Sequence, residues 1–306
     1  MNIYTINQPF QRLEYIDIAK GIGMILVVIG QCINGKVFPG TWINSFHMPL
    51  FFILSGLCFN EKKYPVFLPF LEKRIKTLLL PCLYFSIAIT FLSTLFFEDY
   101  TPTKLLHGFP GGLWFVFILF LCELIYWSIS RIPSKLLQCV LLTLSLFIGL
   151  SLNRLHIQLP YSLCSVFAAT FFYGFGHLSK NKIKSITDKK HLPFPYSILL
   201  AAAFILAPGV TVFFTKAFFS MSSNSIPKPE LIYCLLAIMG AYGTLILSTL
   251  HIGKNLKRPI LFIGNNTLTI LGTHLFFITF VSQYVHPLIH NGMIYKIIEQ
   301  IIVWTA

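Results

Sequence analysis

The stretch "YIDIAKGIGMILVVIGQCI" (residues 15–33) decides the fold. It is apolar and long enough to cross a bilayer, whose hydrocarbon core takes about 20 helical residues. Yet Asp17 and Lys20 stand at its head and Gln31 near its end. Residues three apart and eleven apart share a helix face, because eleven residues make close to three turns. Asp17, Lys20 and Gln31 therefore form one polar stripe, with Lys20 and Gln31 about 16 Å apart along the axis. An interfacial pair with a snorkelling lysine accounts for the first two alone. The stripe as a whole predicts a polar path inside a bundle.

The rest of the chain agrees with a membrane reading. Hydrophobic residues make up 56% of 306 and charged residues 11%, against about 25% charged in a soluble domain. The mean hydropathy is +0.75. Further runs of span length or near it fall at 42–60, 77–97, 111–130, 136–152, 160–178, 196–215, 231–251 and 261–285. A tenth begins near Met293 and reaches Ala306 too short to cross, so it is expected to lie at the interface or to be cut short. The predicted fold is all-α: a polytopic membrane bundle of about nine complete spans plus a short tenth segment. It forms one domain over 1–306. No cleavable signal peptide is visible, since no small-residue cleavage site follows the first apolar run.

The net charge of +13 does not point to nucleic acid. Its basic residues sit in short loops between spans, as membrane orientation requires. Loops 61–76, 131–135, 179–195 and 252–259 hold fifteen Lys and Arg, and the alternate loops hold five. The N-terminus is therefore expected on the cytoplasmic side. The seven cysteines show no metal-ligand or CxxC spacing and read as small buried hydrophobes. No metal is expected.

Several polar residues interrupt the apolar runs. "NSFHMPLFFILSG" places Asn44 and His47 on one face of the second run. His47 falls at a depth similar to Gln31, so the two can meet across a hairpin. An ionisable group inside a span is costly and marks a functional site by default; a neutral histidine bonded to a neighbouring helix is the plainer reading. Lys73, Arg74 and Lys76 stand at the mouth of the third run. Positive-inside residues belong there, and the same cluster suits a phosphate, with Arg74 able to make bidentate contact. Trp114 opens the fourth run as an aromatic-belt residue or as part of a site, and Glu123 lies near mid-membrane. The last complete run carries Asn266 near its inner end and His274 near its middle. The other seven histidines fall near loops and read as incidental.

In this order and spacing, "YIDIAKGIGMILVVIG", "FHMPLFFILSGLCF", "KRIKTLLLPCLYF", "LWFVFILFLCELI" and "FIGNNTLTILGTHLFF" resemble the acyltransferase-3 family of membrane O-acyltransferases. The likeness is nearest to its short fucose 4-O-acetylase-like branch. The resemblance implies a multi-helix enzyme in the bacterial cytoplasmic (inner) membrane. Such an enzyme takes acetyl from cytosolic acetyl-CoA to a hydroxyl of an envelope polysaccharide or lipid-linked sugar. It implies Lys20 at the family's basic position and Lys73, Arg74 and Lys76 toward acetyl-CoA, and it matches His47 and His274. The family's histidine eleven residues after Lys20 is Gln31 here. An amide cannot act as a general base near neutral pH. The resemblance therefore leaves His47 to supply the base, with Gln31 orienting, or else an inactive paralogue. A non-catalytic polysaccharide transporter is the alternative from another class.

Overall fold

The computed structural model describes residues 14–33, 37–98, 100–188, 194–250, 253–285 and Gln300. It is helical, with no strand among the described residues. The first run is one continuous helix, α1 (Glu14–Cys32). Then come α2 (Gly40–Asn44), α3 (His47–Cys58) and α4 (Phe67–Arg74), which passes through a π-helical turn (Ile75–Leu79) into α5 (Leu80–Phe96). After these lie α6 (Leu113–Ser130), α7 (Lys135–Arg154), α8 (Ser165–Asp188), α9 (Phe194–Thr215) and α10 (Glu230–Thr249). The last are α11 (Lys254–Asn265) and α12 (Thr267–Phe280), with a further π turn (Val281–Val285).

Seven helices among the described residues are long and apolar enough to cross a membrane. They are α1, the joined α4–α5, α6, α7, α9 from Pro195, α10, and α12 with its π extension. The chain is a multi-pass membrane protein. Two expected spans are not single helices. Run 42–60 breaks between α2 and α3, because the Pro49 ring would clash with the carbonyl of Ser45 one turn earlier. At 12 residues, α3 is about 18 Å long, short of the roughly 30 Å hydrocarbon core. Run 261–285 is interrupted at Asn266, where φ is −108° and ψ is 21°. Run 160–178 opens with a 3-10 turn (Pro160–Ser162), becomes α-helical only at Ser165 and continues to Asp188. The segment from Met293 falls outside the described residues apart from Gln300.

Burial sorts the helices into two groups. About 56% of α1, α6 and α10 is buried, against 28% of α4–α5 and α7 and 22% of α9 and α12. Nearly every side chain of α3 is buried, as befits a helix apolar all round. The outer helices display Phe91, Leu95, Leu144, Phe147 and Phe214. That surface matches lipid tails, which are as apolar as leucine. Two of the cysteines expected inside, Cys58 and Cys139, are exposed.

The inner helices meet backbone to backbone at two seams. A Cβ on Gly56 would overlap the Tyr173 carbonyl, and one on Gly176 would overlap the Ile53 carbonyl. Gly21 and Gly264 stand in the same relation to the carbonyls of Ile260 and Asp17. These seams join α3 to α8 and α1 to α11. Small residues allow such close approach, and packing of this kind is a main source of helix association in lipid.

Candidate functional site

Gln31, Asn44, His47, Trp114 and His274 come from five helices and line one cavity of about 320 Å³. It lies at the Cys32 end of α1, where α2 stops and α3 and α6 begin. The break in the second run builds part of its wall. Asn44 is the last residue of α2 and His47 the first of α3. The carbonyls at the break each take a second, side-chain partner: Trp42 O accepts from Ser45 N–H and from Ser45 Oγ at 2.6 Å, and Ile43 O from Phe46 N–H and from His47 Nδ1 at 2.8 Å.

The two histidines are held alike. Nδ1 of His274 meets the carbonyls of Ile270 and Leu271, both at 3.0 Å. A carbonyl only accepts, so in each ring Nδ1 carries a proton. The neutral ring then keeps its lone pair on Nε2. His47 and His274 are 6% and 1% exposed. Gly112 lies beside the second ring: a Cβ there would stand 3.4 Å from His274 Cε1 and closer still to Leu271.

A loop that the sequence reading passed over closes the cavity. Phe218, Phe219, Ser220, Met221 and Ser222 all line it. Ser220 and Ser225 exchange backbone hydrogen bonds at 2.8 Å each, which ties the loop into a tight hairpin. Phe219 and Met221 are buried, and Ser165 Oγ donates to Met221 O. Asn224 Nδ2 donates to Gly149 O at 2.9 Å and Asn153 Nδ2 to Ile226 O at 2.8 Å. Arg154 grips the Glu230 carboxylate with two nitrogens, at 2.7 and 3.0 Å. The hydroxyls of Ser220 and Ser222 lie 3.1 Å apart. The available signal was "FFSMSSNS", a serine run carrying three large apolar residues between two spans.

The remaining predicted residues do not line this cavity. Asp17 is buried and its carboxylate lies 3.8 Å from Lys20 Nζ, at the other end of α1. Lys73, Arg74 and Lys76 do not converge. Arg74 turns inward, touches Glu123 Oε2 through Nε at 2.5 Å, and stacks on Phe70 at 5.1 Å. The contact is ionic rather than an aligned hydrogen bond. Lys73 is exposed and Lys76 pairs with Glu72 on the surface. Glu123 also accepts from Tyr173 OH at 3.3 Å. Asn266 Nδ2 donates to Phe262 O at 2.8 Å and closes the end of α11. His177, read as incidental, is part of α8 and bonds Tyr126 OH at 2.7 Å.

The arrangement offers two neutral imidazoles, two amides, two hydroxyls and an indole around one open space. These groups can accept a proton from a hydroxyl and donate hydrogen bonds to a developing oxyanion. Among the described residues, no three His, Cys, Asp or Glu are grouped to hold a metal ion. A family model described as an acyltransferase domain matches residues 13–306. Comparison with curated proteins and with solved structures finds no match.

Proposed function

The chain belongs to the acyltransferase-3 family, and from that premise we propose that it is a membrane O-acetyltransferase whose reaction centre is the His47–His274 cavity. The donor is acetyl-CoA and the acceptor a hydroxyl of an envelope sugar. One observation carries the reading. Two histidines on separate helices face one cavity, each with Nδ1 committed to backbone and Nε2 left to act.

In the proposed reaction His47 Nε2 takes the proton as the acceptor oxygen attacks the thioester carbonyl carbon. The tetrahedral oxyanion receives hydrogen bonds from the amides of Gln31 and Asn44. Its collapse breaks the C–S bond. The imidazolium then returns the proton to the departing CoA thiolate, and the acetyl group remains on the sugar oxygen as an ester. Trp114 offers a flat apolar face to the sugar ring, and Ser220 and Ser222 offer hydroxyl partners. Lys73, exposed near the junction of α4 with its π turn, is the cation that would meet the phosphates of the donor, with Lys76 joining it on release from its surface pair with Glu72. Arg74 is held by Glu123 and supports the helix on which those lysines stand.

Gln31 occupies the position of the family's histidine, so the base falls to His47. Gln31→His should raise acetyl transfer severalfold by adding a second proton acceptor. The test is transfer of labelled acetyl from acetyl-CoA to candidate glycans by the purified protein, read by mass spectrometry. Ester on the glycan supports the enzyme. No turnover by either the folded wild type or Gln31→His would sink it and favour the inactive paralogue. Interrupted helices are also a transporter feature, and one interruption borders this cavity. Movement of glycan across proteoliposomes without acetylation would favour that reading instead.

A further inference from the structure

A second hollow lies across α2 from the first. It encloses about 160 Å³, its wall is entirely apolar, and Phe38, Trp42, Val210, Phe213 and Phe214 are among the residues that line it. Its floor is rigid. Trp42 Nε1 donates to Ile205 O at 2.8 Å, one turn before Pro208 interrupts the hydrogen bonding of α9. The indole presses on Gly209, where a Cβ would stand 2.9 Å from Nε1. Phe38 stacks on Trp42 and meets Phe213 edge-on at 5.3 Å.

Two pieces of chain connect this groove to the reaction cavity. The first is α2, whose Trp42 lines the groove and whose Asn44 lines the cavity. Two residues turn about 200° around a helix, so these side chains leave opposite faces of one wall about 10 Å thick. The second is the end of α9. Phe213 and Phe214 line the groove; Phe218 to Ser222 line the cavity. Between them Lys216 adopts a left-handed conformation (φ 54°) and its N–H caps Val212 O at 2.9 Å. That cap ends the helix and turns the chain from groove to cavity. The Lys216 ammonium sits 4.4 Å from the centre of the Phe213 ring, is exposed, and has no carboxylate partner among the described residues.

An apolar trough, then an exposed cation, then a chamber lined with hydroxyl and amide groups has the polarity sequence of a phosphate-linked glycolipid. We propose that the acceptor is such a lipid. Its hydrocarbon chain lies on the Trp42–Phe213 groove, its phosphate meets Lys216, and its sugar passes around α2 into the His47–His274 cavity. The proposal rests on the acetyltransferase reading and names its acceptor class. A phosphate and one sugar ring span about the thickness of α2, so the hydroxyl reaches the histidines while the chain stays in the membrane. The substrate then enters sideways from the bilayer rather than from water.

The test uses the full chain in phosphatidylcholine nanodiscs. The probe is a polyprenyl-phosphate-linked monosaccharide carrying a photoreactive group on its chain, with the free monosaccharide as second acceptor. Lys216→Glu reverses the charge and Val210→Trp fills the groove, and neither residue lines the cavity. Each should weaken crosslinking about tenfold and lower the ratio of transfer to lipid-linked over free sugar by a similar factor. His47→Gln should stop transfer to both acceptors and leave crosslinking intact. Equal crosslinking by wild type and both variants overturns the groove, even if transfer proceeds. Equal competition by phosphatidylglycerol also overturns it, because the contact would then be a general one for anionic lipid. Groove-dependent crosslinking with no acetyl transfer to any acceptor would remove the acetyltransferase reading and leave the lipid site standing.

Discussion

The polar side chains that line the cavity at the Cys32 end of α1 include no carboxylate, lysine or arginine, and they face open space. Nine residues further along α6, about 13 Å at 1.5 Å per residue, they close on one another around an ion pair, Arg74 with Glu123. The same helices carry both layers. α6 supplies Trp114 to the first and Glu123 to the second; α8 anchors the loop over the first through Ser165 and gives Tyr173 and His177 to the second. A carboxylate in a low-dielectric interior needs a counter-charge, and Glu123 has Arg74. A neutral imidazole needs one backbone carbonyl to fix its proton, and its other nitrogen stays available. The two sites thus divide by partner: Glu123 is answered by the charge of Arg74 and holds structure, whereas His47 and His274 are held by backbone at one nitrogen and keep the other for chemistry.

The sharpest way to break this division is His47→Gln, which keeps hydrogen bonding and removes the proposed base. Acetyl transfer should fall by about 10²–10⁴, measured as kcat with saturating acetyl-CoA. A rate within a few-fold of wild type would move the base elsewhere. The charged layer should respond in the opposite currency. Glu123→Ala leaves the half-buried Arg74 without its counter-ion and should lower stability by about 3 kcal/mol, the lower end for a broken buried pair, read by denaturant unfolding in mixed micelles. The double variant Arg74→Met/Glu123→Leu should recover most of that loss. If the double variant is as unstable as the single, the pair is not a self-contained structural unit.

A third change should move both layers at once. Gly56→Ala forces α3 away from the Tyr173 carbonyl of α8 and should cost about 1–3 kcal/mol. Transfer should fall with it, because His47 sits on the displaced helix. The smallest effect belongs to the loop. Ser222→Ala removes one hydroxyl partner from the cavity and should raise the acceptor KM by roughly fivefold, the value of one hydrogen bond, with kcat kept. A matching loss of kcat would assign Ser222 to the reacting atoms instead.

Five of the residues that line the cavity were legible one by one. Gln31, Asn44, His47, Trp114 and His274 each interrupt an apolar run, and a polar group inside a span is conspicuous against its neighbours. Helical spacing then supplied depth, which suggested that Gln31 and His47 can meet. What the runs concealed was partnership. Nothing in "KRIKTLLLPCLYF" says that Arg74 turns inward while Lys73 and Lys76 stay out, because that depends on Glu123, 49 positions later. The broken helices were hidden for a related reason. Hydropathy averages over a window, so 42–60 looks like one span, although Pro49 forbids the carbonyl geometry that would join its halves. The loop at 218–222 was missed because loops between spans read as connectors, and its importance lies in what Phe219 and Met221 bury.

The two glycine seams have a mechanical consequence. Where backbone rests on backbone, a helix cannot slide along its neighbour by one residue, about 1.5 Å, without driving a carbonyl into a side chain. The seams therefore act as depth stops. Gly21 against Gly264 sets how far α1 projects, and with it the height of Gln31. Gly56 against Gly176 does the same for α3 and His47. The fittings that align the chamber at one end of the bundle thus stand well away from it, so its precision is an inherited one, transmitted along stiff rods from points that touch no substrate.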